Sequence, residues 1–200
     1  MDAETKLYSI GVVGSRHFTS DFYDILAYCL KHRINQIGKP VQIVSGGAEG
    51  ADTLAESFAN ANLLPSLILR PDWDKYGKRA GFVRNMDIIN ASDEIFALWD
   101  GESKGTEHTI VNALDMNKDV DILLFADNSL HYAHLHLHIA TSGQDEHTGL
   151  VDINYRHFLV PNTGEFETQV LSTCIPYKCG IFPFKERIME SYNSIKTSRK

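Results

Sequence analysis

The chain is poor in cysteine, in long apolar runs and in positive charge. Its 200 residues include three cysteines, six prolines and two tryptophans, and its formal net charge is −7. Cys29, Cys174 and Cys179 are too few and too scattered for a disulfide framework. The expected compartment is therefore reducing and cytoplasmic. Cys174 and Cys179 bracket Pro176 and would hold a metal only with partners from elsewhere in the chain. No apolar run is long enough to span a membrane. The opening MDAETKLYSIGVVG carries acids early and passes straight into a strand pattern, unlike a signal peptide. The acidic balance argues against general duplex binding, which needs a basic face, but leaves room for a local phosphate pocket. There is no internal repeat and no low-complexity tract. Length and a 43% apolar content fit one generous domain, or one domain with an appendage.

What the chain does have is three small-residue loops, each closing an apolar run. Val41 to Asp52 (VQIVSGGAEGAD) runs from a strand into glycines and then into a helical pattern at Leu54, Ala55, Phe58 and Ala59. Gly11 to Arg16 (GVVGSR) and Asp100 to Thr106 (DGESKGT) repeat the arrangement in kind. Glycine lets a backbone approach a ligand closely, and a helix start offers unpaired N–H groups to an anion.

The first two-thirds alternates between strands and helices. Strands are expected at Leu7–Val13, Val41–Val44, Ser66–Leu69, Glu94–Trp99 and Val120–Phe125. Helices are expected at Asp21–Ile37, capped by Thr19 or Ser20 and stopped at Gly38, and at Gly50–Asn62, Arg79–Asn90 and Gly105–Met116. Such alternation means an α/β fold with a Rossmann-like parallel sheet flanked by helices and right-handed crossovers. Ligands then lie outside the carboxyl ends of the strands, where all three glycine loops fall. After Asp127 the pattern changes to period two at Tyr132–Thr141 and Val151–Val160, with a third extended segment at Glu167–Thr173 and a terminal helix at Lys185–Lys196. The expected division is residues 1–127, the Rossmann-like domain that carries the glycine loops, and residues 128–200, a small antiparallel β extension. An added edge strand also invites self-pairing, so a homo-oligomer is expected.

The candidate ligand residues follow from these loops. Gly14, Ser15 and Arg16 place a cation beside exposed N–H groups, although a loop arginine also pairs with surface acids. Ser45, Gly46, Gly47 and Gly50 form the second loop. Asp52, in the first turn of its helix, either complements the helix dipole or accepts ribose hydroxyls. The segment Pro71 to Asn85 (PDWDKYGKRAGFVRN) is aromatic and basic. Trp73 and Tyr76 suit a base, and Lys75, Lys78, Arg79 and Arg84 suit a phosphate, with Asn85 beside them; otherwise the segment is a solvated loop whose Trp73 caps the core. Asp100, Ser103, Gly105 and Thr106 hold an anion or ribose, or serve only to cap a helix. His134, His136 and His138 share one strand face and are the alternative metal set, with His131, His147 and His157 nearby; the competing reading is a half-exposed polar face. No metal and no cofactor is expected.

These segments together resemble the SLOG superfamily, named for the SMF/DprA and LOG proteins, and within it the YspA-like branch. The resemblance rests on GVVGSRHF, IVSGGAEGADTLAESFA, PDWDKYGKRAGFVRN and WDGESKGTEHTI, in that order across residues 7–126. It implies a Rossmann-like fold that binds nucleotides or nucleotide-derived ligands; members range from ligand sensors through single-stranded-DNA binders to enzymes that cleave N-glycosidic bonds. Arg84, in VRN, resembles the family's ribose- or phosphate-contacting arginine. One departure matters. In the LOG phosphoribohydrolases and the nucleoside deoxyribosyltransferases, a Gly-Thr pair is followed three residues later by a glutamate that acts on the ribose carbon. Here Gly105 and Thr106 are followed by Thr109, and Glu107 and His108 turn to other helix faces.

The expected function is binding of a phosphorylated nucleoside or an NAD-derived molecule, as a sensor or binder with a small-molecule nucleotide partner. One alternative is a nucleotide N-glycosidase or related hydrolase using Asp52, Asp100 or Glu107 in place of the missing glutamate. Another is a single-stranded nucleic-acid binder like DprA, which the acidic balance disfavours because backbone tracking needs a positive groove.

Overall fold

The computed structural model describes residues 6–126, 129–138, 148–158 and 170–178, together with Glu186. Among them the first two-thirds alternates as the sequence pattern predicts. Strands β1 (Tyr8–Gly14), β2 (Val41–Ser45), β3 (Ser66–Ile68), β4 (Glu94–Trp99) and β5 (Asp119–Ala126) are separated by helices. These are α1 (Tyr23–Ile37), α2 (Ala51–Ala61), α3 (Trp73–Tyr76), α4 (Ala80–Ala91) and α5 (Lys104–Asp115). Three antiparallel strands follow: β6 (Ser129–His138), β7 (Thr148–Phe158) and β8 (Val170–Lys178). All belong to one sheet of order β3-β2-β1-β4-β5-β6-β7-β8. Strands β1 to β5 run parallel, which makes the core an α/β, Rossmann-like sheet. No helix of the described residues is long and apolar enough to cross a membrane.

Helices cover both faces of the parallel part. Helices α1 and α2 bury Leu26, Leu30, Ala55 and Phe58 against Ile10, Val12, Ile43 and Phe96. On the other face α4 and α5 bury Ile88, Ile89, Ile110 and Leu114 against Ile95, Ala97, Val120 and Ile122. A strand covered on both sides favours a nearly continuous apolar run, broken in β4 only by Glu94, which pairs with Arg33. All six residues of β4 are accordingly buried. Helix α1 ends as Gly38 predicts, in the left-handed region at φ 62°, with its N–H donating to the Ile34 carbonyl. Cys29 lies on the buried face of α1. Burial, with Asp121 near, pushes its thiol up to about 12, so it packs as a small neutral group.

The sequence expectations need correction at several places. Neither Thr19 nor Ser20 caps α1: residues Ser20–Phe22 form a 3₁₀ turn without a side-chain cap, and α1 starts from Phe22. The helix expected from Arg79 is preceded by α3 and a 3₁₀ turn at Gly77–Arg79, because Asp72 accepts the Lys75 N–H at 2.9 Å and nucleates an earlier turn. The alternation left open how the antiparallel strands join the core. Strand β6 pairs with β5 from Val120↔Leu135 to Ala126↔Ser129 and so prolongs the same sheet. The expected terminal helix lies outside the described residues except Glu186, which is helical, and Cys179 and His147 also lie outside them.

The seam between β5 and β6 carries a buried charge cluster at the N-terminal ends of the strands. Arg33 Nη2 lies 2.6 Å from Glu94 Oε2, and Arg33 Nε lies 3.5 Å from Asp121 Oδ2. His134 Nδ1 lies 2.7 Å from Asp121 Oδ1, and the Tyr8 hydroxyl donates to Glu94 at 3.1 Å. Burial pulls His134 toward the neutral form, but the hydrogen bond and charge of Asp121 outweigh it. The imidazole therefore stays protonated above its ordinary value of 6.5. A raised histidine stabilises the fold fully below 6.5, and that contribution is lost as pH rises through the folded value. The stability advantage of the wild type over His134→Gln is thus expected to shrink as pH rises from below 6.5 into the alkaline range. Urea unfolding of both proteins across that range measures it; an advantage that is flat or grows with pH contradicts the assignment.

Candidate functional site

The strand order reverses between β1 and β4. From β1 the chain moves to β2 on one side, and from β4 to β5 on the other. The loops leaving these neighbours diverge and leave a crevice at the carboxyl edge, the usual place for a ligand in an open α/β sheet. A cavity of about 530 Å³ lies there. Gly14, Ser15, Arg16 and His17 line it from β1, and Asp100, Glu102, Ser103, Gly105, Thr106 and Thr109 from the β4–α5 side. Ala48 and Asp52 reach it from the β2–α2 side, and Trp73, Lys78, Gly81, Phe82, Arg84 and Asn85 from α3 and α4.

The β4–α5 loop is held in place by its own polar groups. Asp100 Oδ1 accepts the Glu102 N–H at 2.9 Å and the Ser103 N–H at 2.7 Å. Trp99 Nε1 donates to the Ser103 carbonyl at 3.2 Å. Across the crevice, the Asp100 N–H donates to Ser15 Oγ at 3.3 Å, tying the two loops together. Burial alone would raise the Asp100 carboxyl; the Ser103 and Glu102 N–H groups and the Ser15 hydroxyl hold it below its ordinary value. Asp100 is therefore an ionised loop clamp. Ser103 precedes α5 without capping it by its side chain, and its Oγ instead accepts from Thr106 Oγ1 at 3.0 Å. The first turn of α5 thus lacks a side-chain acceptor and lies beside the crevice, where the positive end of a helix favours an anion.

Opposite stands a buried ion pair. Arg84 Nη1 donates to Asp52 Oδ2 at 2.8 Å, the two side chains being 12% and 6% exposed. Ala48 N–H donates to the same oxygen at 3.1 Å. Burial nevertheless raises the Asp52 carboxyl, against the pull of Arg84 and of the Ala48 and Gly46 N–H groups. Gly46 makes the pair possible: a Cβ there would stand 1.2 Å from Arg84 Nη1. Arg84 Nε is buried and has no hydrogen-bond partner among the described residues. From α4, Asn85 donates to Thr109 Oγ1 at 2.9 Å, and Thr109 donates to the Gly105 carbonyl at 2.9 Å.

Eleven expected ligand residues come together here: Gly14, Ser15, Arg16, Asp52, Trp73, Arg84, Asn85, Asp100, Ser103, Gly105 and Thr106. Five others do not line the crevice. Ser45 donates its hydroxyl to Glu56 at 2.8 Å. Gly46 lies beneath Arg84, and Gly47 faces Arg70 and Ile68. Gly50, at φ 84°, is pressed against the β1 loop, where a Cβ would lie 2.6 Å from the Ser15 carbonyl oxygen. Arg79 sits in the 3₁₀ turn before α4. Glu107 also lies off the crevice, paired with Lys104 at 2.9 Å. Residues not singled out beforehand are His17, Ala48, Gly81, Phe82 and Glu102. His17 and Glu102 adjoin flagged loop residues, and that adjacency was the readable signal. Phe82 gave none, because a phenylalanine in an amphipathic helix reads as core. His134 lies in the seam cluster, not here. The side chains of His131, His136, His138, His157 and Cys174 fall outside the described residues.

No family model matches the chain. One relative is the Gene 61 protein of Mycobacterium phage D29, 35% identical over 92 residues, which cover 42% of this chain and 71% of the phage protein. Similar solved structures include DNA processing protein A (DprA) of Streptococcus pneumoniae, with a TM-score of 0.48 and 20% identity over 58% of this chain and 50% of that one. This chain thus matches half the length of the pneumococcal protein. Another is glycinamide ribonucleotide transformylase 1 of Geobacillus kaustophilus, with a TM-score of 0.33 and 13% identity over 93% of each chain.

A buried carboxylate left without its partner costs about 3–5 kcal/mol. The sequence reading alone would make Arg84 a binding residue whose loss leaves stability untouched; its pairing with Asp52 says otherwise. Arg84→Met is expected to lower unfolding free energy by about that amount. Asp52→Asn added to Arg84→Met should recover a large part, since no charge is then stranded. Urea unfolding of the single and double variants measures this, and equal stability of Arg84→Met and wild type contradicts it.

Proposed function

We propose that this chain, which belongs to the family of the Gene 61 protein of Mycobacterium phage D29, binds a nucleotide or nucleotide-derived ligand by its phosphate in the β1–β4 crevice. The observation that carries this reading is the α5 start. Its N–H groups lack a side-chain cap, they lie beside the crevice, and Arg16 stands across from them on an exposed loop. An anion placed there meets a helix N-terminus and a cation together. The segments that resemble the SLOG superfamily are the ones that build this crevice, which supports the same ligand class.

Binding without turnover is favoured by where the carboxylates are. Position 109, which carries the acid in the hydrolytic members that the sequence resembles, does line the crevice, but as a threonine whose hydroxyl is engaged with Gly105 and Asn85. Asp52 is committed to Arg84, Asp100 to the loop N–H groups, and Glu107 is off the crevice. None of the three is placed as the general acid or nucleophile that cleavage of an N-glycosidic bond requires.

The test is a thermal-shift screen of nucleoside mono- and diphosphates with inorganic phosphate as the minimal anion. A ligand at about a hundredfold excess over its Kd adds about 2.7 kcal/mol, or roughly 5–10 °C in melting temperature at this size. Arg16→Glu is expected to abolish the shift while leaving the ligand-free melting temperature within about a degree, because exposed loop substitutions cost little. If neither phosphate nor any nucleotide shifts the wild type, the reading fails. Salt-sensitive binding to single-stranded oligonucleotides in its place would move the function to the nucleic-acid class.

A further inference from the structure

Trp73 and Phe82 are two of the large apolar side chains left open to solvent, at 53% and 47% exposure, and both face the crevice. Each is held by the fold. Trp73 opens α3, whose start is fixed by the Asp72 carboxylate accepting the Lys75 N–H. Its ring lies beside Gly81, where a Cβ would meet only Trp73 Cη2, at 3.9 Å. Phe82, one residue on, packs edge-to-face with His108 of α5, with ring centroids 5.1 Å apart and planes at 74°. Two exposed rings lining one cavity give it the apolar and aromatic surface typical of ligand clefts.

We infer that Trp73 and Phe82 are specificity-determining residues: they form an aromatic wall that takes the planar base of the ligand, so the crevice distinguishes a nucleoside phosphate from a sugar phosphate. This rests on the phosphate reading above and adds the other end of the ligand. The α5 start and Arg16 supply an anion site in the cavity, while α3 and α4 supply two rings to the same lining. A ligand that uses both must carry a negative group and a flat π-system joined by a polar spacer. Stacking is tolerant of base identity, since every base has a π-face. The wall therefore selects for the presence of a base and leaves the choice among bases to other contacts. Tyr76, also expected to stack, does not line the cavity and instead lies under the Lys75 ammonium, 4.7 Å from its ring centroid.

The test compares ribose 5-phosphate with AMP, GMP, CMP and UMP by calorimetric titration, in the wild type, Trp73→Ala, Phe82→Ala and Trp73→Phe. The wild type is expected to bind at least one nucleotide about ten- to a hundredfold more tightly than ribose 5-phosphate, the range that one stacked base supplies. Trp73→Ala and Phe82→Ala should each cut that ratio severalfold while leaving ribose 5-phosphate affinity within about twofold, and Trp73→Phe should retain most of it. Both side chains are half in solvent, so the variants are expected to keep the wild-type melting temperature within a few degrees, which checks that they fold. The inference is overturned if the wild type binds ribose 5-phosphate as tightly as every nucleotide, or if both alanine variants keep the full ratio. If neither the nucleotides, ribose 5-phosphate nor inorganic phosphate binds the wild type, the phosphate reading itself fails.

Discussion

The ion pair between Asp52 and Arg84 is the constraint around which the crevice is arranged. Both groups are nearly out of water, and the burial cost of Asp52 exceeds what its partner and two backbone N–H groups return, which is why its carboxyl is raised. A pair of this kind contributes little net stability, and apolar residues of the same volume would often serve the fold as well. What it supplies is position. It ties the first turn of α2 to the middle of α4 and fixes the guanidinium at the crevice wall. Its geometry requires Gly46, because any side chain there would occupy the space of Nη1. The glycine-rich turn after β2, the acid at the helix start and the arginine in VRN are thus one device, spread over nearly forty residues of sequence.

This explains why the glycine loops were legible as close approaches at one sheet edge but not residue by residue. A glycine after a strand says that something approaches the backbone closely; it does not say what. Gly14 and Gly105 face the cavity. At Gly46 the close neighbour is a protein side chain, and at Gly50 it is the β1 loop. Gly47 turns toward Arg70 and Ile68. The same ambiguity applies to Asp52 and Asp100. Sequence placed both at the right edge of the sheet, but only the hydrogen bonds show that one is committed to an arginine and the other to its own loop. Local chemistry was readable where the partner is near in sequence, as for Asp100 with Glu102 and Ser103. It was unreadable where the partner lies thirty-two residues away, as for Asp52 with Arg84.

The fold was more legible because its signals are local and redundant. Strand β4 was bounded correctly at both ends, its apolar run Ile95–Trp99 giving the body of the strand and Glu94 its buried first residue. The stop of α1 followed from Gly38. Its start did not, because a 3₁₀ turn shares most of the sequence preferences of an α-helical first turn. The C-terminal strands were recognisable from period two, but alternation fixes neither the partner nor the register of a strand. That β6 joins the edge of β5 depends on pairings such as Asp121↔His134, in which a histidine read as a possible metal ligand is in fact an ion-pair partner.

The two polar clusters divide the sheet between them. At the N-terminal ends of the strands, ion pairs among Arg33, Glu94, Asp121 and His134 bind α1, β4, β5 and β6 into one body. At the carboxyl ends the pairing is incomplete: Arg84 keeps a buried Nε without an acceptor, α5 begins without a side-chain cap, and two aromatic rings stand open. A folded protein normally pairs its buried donors and covers its large rings. The uncapped helix start and the two open rings at the crevice support the proposal that this edge takes a ligand. The proposed nucleotide matches that chemistry, since its phosphate accepts hydrogen bonds and its base offers a flat apolar face.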